Sequence, residues 1–196
     1  MRTAFPLEQC KSHTYINLKL EDYVKQRFTD NSNVRLAIIP FDVQESFAPL
    51  GNESSNFGRE LARRFTLEFH KENLVPIVEL FNRDRWPGKR EEFFTGNYKA
   101  IDLARAAGYD LVMVGYLEEL KDDVTLTIYT KIIDTQSNIT IWDAQNTVVS
   151  RETAVRDTLN KASIMQKRPD LFNFAPRTEK LVNCTVYDIK EAEPSN

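Results

Sequence analysis

Side chains suited to nucleophilic or acid–base chemistry are few in this sequence: two histidines, His13 and His70, and two cysteines, Cys10 and Cys184. A Ser-His-Asp triad, a Cys-His dyad or a two-histidine metal site would have to recruit one of these imidazoles. Neither stands at a spacing from a nucleophile or second ligand that such sites use. His70 ends the run Phe65-Thr66-Leu67-Glu68-Phe69-His70, where an imidazole meets the negative end of a helix dipole, a structural role. The carboxylate pairs Glu118-Glu119 and Asp122-Asp123 fall at an expected hairpin turn and its flank, where acidic residues are solvated. The first predicted strand runs into Asp42-Val43-Gln44-Glu45-Ser46-Phe47, with neither of the glycine patterns that let backbone amides cradle phosphates. The expectation is therefore no catalytic residue, no metal ligand and no cofactor.

Two cysteines exclude a disulfide-dense scaffold and a four-cysteine zinc site. Three fates stay open for them. Cys10 and Cys184 could pair and clip the two ends of the chain in an oxidising compartment; Cys184 could be a small buried residue; Cys10 could carry a lipid, as the first residue of a processed bacterial lipoprotein. Lipidation would need an export signal upstream of Met1, and Pro6-Leu7-Glu8-Gln9 is a poor match to the small residues that precede such a cysteine.

Binding chemistry concentrates in one segment. Arg83, Arg85, Lys89 and Arg90 stand against Asp84 there, with Trp86, Phe93 and Phe94 interleaved. Tryptophan and arginine offer large, preorganised contact surfaces and carry much of the energy of protein interfaces. Arg83, Arg85, Trp86, Lys89 and Arg90 are the expected partner-binding residues. The alternative for the segment is structural, with Phe93 and Phe94 in the core, Trp86 shielding a sheet edge and the charges solvated. A stacking surface for single-stranded nucleic acid is disfavoured by the acidity of the whole chain.

Several elements must position that segment. Leu20, Val24 and Phe28 form an apolar stripe on a short helix that follows an irregular start. Residues 34–43 read as an inner strand whose Pro40 makes its second half irregular, and residues 74–80 as a strand whose Pro76 places it at an edge or a strand start. Between them lie a polar loop and a helix capped by Ser54 or Ser55, with Phe57, Leu61, Phe65, Leu67 and Phe69 inward. A second helix with Ile101, Leu103 and Ala104 inward closes at Gly108. The nearly continuous apolar run 109–117 is a strand covered on both faces, and residues 124–134 and 139–149 alternate as an antiparallel meander. Helical spacing resumes over 151–166 and again over 177–191.

The fold class that follows is α/β (α+β): a single domain with a mixed sheet of about five strands, a βαβ half plus an antiparallel meander, flanked by helices. Residues 1–33 read as an N-terminal extension with a short helix, 34–166 as the core domain and 167–196 as a C-terminal helical extension. The 196 residues carry a net charge of −3, with 41% hydrophobic and 28% charged residues, the balance of a globular protein and not of a disordered chain or a general polyanion binder. No run reaches the roughly 18 apolar residues of a membrane-spanning helix.

Some of these residues also resemble a known group. Val34-Arg35-Leu36-Ala37-Ile38-Ile39-Pro40-Phe41 opens the domain, Gly108-Tyr109-Asp110 leads into a strand holding Gly115, and Asp134-Thr135 turns into Ile139-Thr140-Ile141-Trp142. The pattern is similar to the fold shared by the curli-secretion lipoprotein CsgG, the penicillin-binding-protein activator LpoB and the N-terminal domain of TolB. It departs from that group in having Asn82-Arg83-Asp84-Arg85 where a Glu-Arg pair is usual. The resemblance implies a non-enzymatic accessory or structural protein of a bacterial cell-envelope assembly, in the periplasm or at the outer membrane. Its implied partners are other envelope proteins or its own copies, without nucleic acid, and it touches membrane only through a lipid anchor; without the resemblance, a cytoplasmic location is the reading. The alternative function is a small-molecule-binding or catalytic domain with a pocket at the strand carboxyl ends, near Asp42, Gln44 and Tyr116.

Overall fold

Apolar runs build the middle of one sheet and alternating runs build its flank. The computed structural model describes residues 10–28, 33–43, 53–81, 93, 99–119, 125–149 and 174–191. Within them the elements are β1 (Cys10–Asn17), α1 (Leu20–Arg27), β2 (Arg35–Ile38), β3 (Asp42–Val43), α2 (Glu53–Glu72), β4 (Ile77–Leu80), α3 (Lys99–Ala106), β5 (Leu111–Glu119), β6 (Thr125–Asp134), β7 (Thr140–Val149) and α4 (Phe174–Glu191). The strands form a seven-stranded sheet in the order β1-β7-β6-β5-β2-β4, with β3 alongside β5. β4, β2 and β5 are parallel, as the helical crossovers between them require, and β5, β6, β7 and β1 are antiparallel. This is the expected mixed α/β sheet, with β1 as a strand beyond those read from the sequence and the expected strand 34–43 divided into β2 and β3.

Strand periodicity assigns each side chain to a face. Leu36, Ile38, Leu111, Met113, Leu117, Ile128 and Ile132 point to one face, where Leu61, Phe65 and Phe69 of α2 and Leu181, Val182, Val186 and Ile189 of α4 cover them. Ala37, Ile39, Val112 and Ile133 point to the other, under Ala100, Ile101 and Ala104 of α3. Burying each large aliphatic or aromatic side chain in these layers contributes about 1.5–3 kcal/mol. Leu67, expected inward, is 54% exposed instead, because it lies off the stripe of Leu61, Phe65 and Phe69.

The irregularity expected at Pro40 separates β2 from β3 and brings Phe41 onto α2. The Phe41 amide donates to the Gly58 carbonyl at 3.1 Å, and its ring stacks on Phe65 at 5.0 Å. A Cβ at Gly58 would run into the Phe41 carbonyl oxygen, and one at Gly115 would meet both the Phe41 ring and the Tyr129 carbonyl. Both glycines permit close approach where a side chain would hold the layers apart.

The turn between β6 and β7 is held from three sides. Asp134, fully buried, accepts from the amides of Gln136 and Ser137 at 2.8 Å each and from the Tyr23 hydroxyl at 2.9 Å, and Arg27 lies 3.3 Å from the same carboxylate. Burial pushes this carboxyl up, but the hydrogen bonds from Ser137, Tyr23 and Gln136 outweigh it and hold Asp134 below the ordinary aspartate value. From α3, Arg105 donates to the Thr135 carbonyl and to Asn138 Oδ1, which sits at φ 59°.

The start of the chain, read from the sequence as irregular, differs from that reading. Residues 10–17 form β1, paired antiparallel with β7 from Cys10 opposite Val148 to Asn17 opposite Trp142. At its near end Cys10 is joined to Cys184 of α4 in a disulfide, with the Cα atoms 6.5 Å apart. Beside it, Asn146 of β7 donates to Ser12 and Asp188, tying β7, β1 and α4 together beneath the helix.

Candidate functional site

On the α3 face, one row of residues crosses five strands in register. Asp42 of β3 stands opposite Tyr116 of β5, Tyr116 opposite Tyr129 of β6, Tyr129 opposite Gln145 of β7, and Gln145 opposite His13 of β1. Because paired residues share a face, the sheet's own register places these side chains in line.

The row passes from packed to open. Tyr116 is 3% exposed and stacks on Tyr129 with ring centroids 4.4 Å apart and 11° between planes. Phe93 caps the pair edge-on, 5.1 Å from Tyr116 and 6.4 Å from Tyr129. Lys131 lies over the Phe93 ring at 4.5 Å and pairs with Asp143 at 3.3 Å. Beyond Tyr129 the Tyr15 hydroxyl donates to Gln145 at 3.2 Å, and His13 meets Tyr15 edge-on at 4.6 Å. Tyr15 itself is 56% exposed.

Two groups along the row are shifted by their surroundings. Burial pushes the Tyr129 hydroxyl up, and the nearby Glu118 carboxylate pushes it further. Burial also raises the Asp143 carboxyl, against the pull of Lys131. A phenol held above its ordinary value stays a neutral donor at physiological pH, so it is not an activated base or nucleophile.

The residues singled out in the sequence fall as follows. Arg83, Arg85, Trp86, Lys89 and Arg90 lie outside the described residues, as do Gln44, Asp122, Asp123 and the helical stretch 151–166. Phe93 is 7% exposed, in the core position that the structural alternative for its segment assigned to it. Asp42 and Tyr116 do come together at the strand carboxyl ends, but the Tyr116 ring is engaged by Tyr129 and Phe93 rather than lining open space. His13 sits on β1 and His70 in the last turn of α2. Among the described residues there is no group of three or more His, Cys, Asp or Glu side chains placed to hold a metal ion, and no helix long and apolar enough to cross a membrane. On the opposite face, a groove of about 310 Å³ runs between α2 and α4, lined by Arg63, Arg64, Leu67, Lys71 and Glu179 among others. Its cations are paired within α2, Arg63 and Arg64 with Glu60 and Lys71 with Glu68.

Sequence reasoning passed over Tyr15, weighed His13 only for catalytic and metal roles, and took Gln145 only as part of the strand 139–149. The only signal for Tyr15 was the β-favouring Thr14-Tyr15-Ile16, too short to mark a strand without its partner.

No protein-family model and no curated protein sequence matches the chain. Solved structures do. The dodecameric PelC from Paraburkholderia phytofirmans is similar over 94% of this chain and 99% of its own, with a TM-score of 0.55 and 9% identity. A variant PelC dodecamer in another crystal form covers 92% and 96%, with a TM-score of 0.51 and 11% identity. At this identity it is the fold that is shared, and it is shared across nearly the whole of both chains. TolB from Acinetobacter baumannii (TM-score 0.43, 11% identity, 95% of this chain and 32% of that one) and the LpoB C-terminal domain from Salmonella enterica (TM-score 0.34, 14% identity, 67% and 96%) are looser likenesses, and no argument rests on them.

Proposed function

We propose that this protein is a non-enzymatic accessory component of a bacterial cell-envelope assembly and acts by binding protein, its own copies included. The observation that carries this reading is the fold held in common, end to end, with PelC, whose solved form is a dodecamer. The disulfide between Cys10 and Cys184 supports a location outside the reducing cytoplasm, because such bonds persist in oxidising compartments such as the periplasm. A Cys10 bonded to Cys184 has no thiol left for a lipid, so the disulfide is the fate we assign it. The aromatic and polar row from Tyr116 to Tyr15 supports recognition by contact, since it offers stacked rings and a hydroxyl that donates to Gln145.

Within this reading the cationic and aromatic run of Arg83, Arg85, Trp86, Lys89 and Arg90 is the surface for other envelope proteins. It follows β4, one of the two edge strands of the sheet among the described residues. The test is a crosslinking pull-down from the envelope fraction with the native protein and the Arg85→Ala/Trp86→Ala variant, alongside light scattering of the purified chain. Expected are self-association of the native protein and a partner that the variant fails to retain at an unchanged thermal midpoint. A monomeric protein that retains no partner would overturn the reading, and a collapsed midpoint in the variant would assign Trp86 to the core.

A further inference from the structure

β1 is eight residues long, yet every residue from Lys11 to Ile16 is exposed, and only its two ends are half-buried. Among the described residues it pairs with β7 alone, so one row of its backbone donors and acceptors faces outward. The same end of the sheet displays apolar surface. Tyr15, Ile16 and Leu18 are exposed, Leu18 donates to the Ile141 carbonyl, and Ile139, two residues before Ile141, is exposed as well.

Edge strands that must stay single are kept short or carry prolines, several charges or bulges. β4, the opposite edge, has four residues and follows Pro76 directly. β1 has twice that length, no proline and one charged side chain, Lys11; its single guard is the bulge between Thr14 and Ile16.

We propose that β1 is an assembly edge, pairing antiparallel with β1 of a second copy of this chain about a two-fold axis, so that the sheet continues from one protomer into the next. The proposal rests on the self-association part of the function proposed above and names its surface. Two features favour a second β1 over other strands. A four-residue β4 would leave half of the β1 edge unpaired, whereas a second β1 matches its length. Centred on His13, the two-fold sets Lys11 opposite Tyr15 and Ser12 opposite Thr14, each pair on one face, so the lone charge meets no like charge and its stem covers an exposed aromatic side chain. An interface of this kind is isologous and closes on itself.

The test is light scattering of the full chain over a range of concentrations, native against Tyr15→Lys/Ile16→Lys, with Leu67→Lys on α2 as a surface control. Expected is a weakening of self-association by at least about tenfold in the β1 variant, the control behaving as native. As a second measurement that adds no charge, protein carrying Ser12→Cys is mixed with protein carrying Thr14→Cys under mild oxidation. Mixed dimers should crosslink well above either protein alone, because those positions oppose each other across the axis. Native oligomers that neither the β1 variant nor the cysteine mixture registers would overturn this surface and leave the self-association reading in place. A native protein that stays monomeric at every concentration would overturn both.

Discussion

The Tyr23 hydroxyl donates to Asp134 Oδ2 at 2.9 Å, tying the first helix to the β6–β7 turn across 111 positions of sequence. Removing the donor leaves a buried carboxylate that two turn amides still satisfy, so Tyr23→Phe should cost about 1–2 kcal/mol. Removing the acceptor orphans those amides and the hydroxyl together. Asp134→Ala should therefore cost more, about 3–5 kcal/mol, in denaturant unfolding. Equal losses for the two variants would show that the turn does not depend on the carboxylate.

The pH dependence of stability should carry two opposed contributions. Asp134 is held below the ordinary aspartate value in the folded protein, so its stabilisation is present above the unfolded value and is lost as pH falls through the folded one. Asp188 is pushed the other way, by burial, against hydrogen bonds from Ser12 and Asn146. Its folded state binds the proton more tightly, so lowering pH from the folded value toward the unfolded one adds stability. Asp188→Asn should accordingly gain on the native protein at neutral pH and lose that gain as the pH drops toward 4, while Asp134→Asn should flatten the acid limb below the ordinary aspartate value. Thermal midpoints between pH 7 and pH 3 check both; curves parallel to the native one would contradict the assignment.

Gly58 lies inside a helix, where alanine ordinarily stabilises by about 1 kcal/mol. Here the added methyl would meet the Phe41 carbonyl, a backbone atom that cannot swing aside. Gly58→Ala should instead destabilise by about 1–3 kcal/mol. A stabilised variant would mean that α2 can slide on the β2–β3 break.

The Cys10–Cys184 bond closes a separation of 174 residues. Cross-links over long loops typically stabilise by about 2–5 kcal/mol, chiefly through the unfolded chain. Cys10→Ser/Cys184→Ser should lower the thermal midpoint, and hydrogen exchange should quicken first in β1, whose exposed side chains give it little else to hold it. Uniform quickening across the sheet would mean that β1 is no separate unit.

Most of the sheet was legible because its signals are local. The run at 111–117 is apolar throughout and the meander alternates, so burial on two faces and on one could be told apart from residue types. β1 was illegible because Lys11-Ser12-His13-Thr14-Tyr15-Ile16 holds no apolar run; it is a strand through its pairing with β7, which no window of its own sequence reports. Leu67 failed for a geometric reason, since a residue two places from Phe65 points about 200° around the helix. The Tyr116–Tyr129 stack comes from the register between strands, set by segments that no motif marks. The cysteines were visible as a pair of options, but only the return of α4 over β1 brings them within reach.

Most of the order in this sheet follows the chain from one neighbour to the next, but its first strand waits for nearly the last. β1 finds its ladder only once residues 142–148 exist, and its covalent anchor only at Cys184. Contacts so distant in sequence raise the contact order, and folding rates fall with it. The 196 residues hold no third cysteine, so oxidation has no wrong pairing within them to sample once α4 has returned over β1.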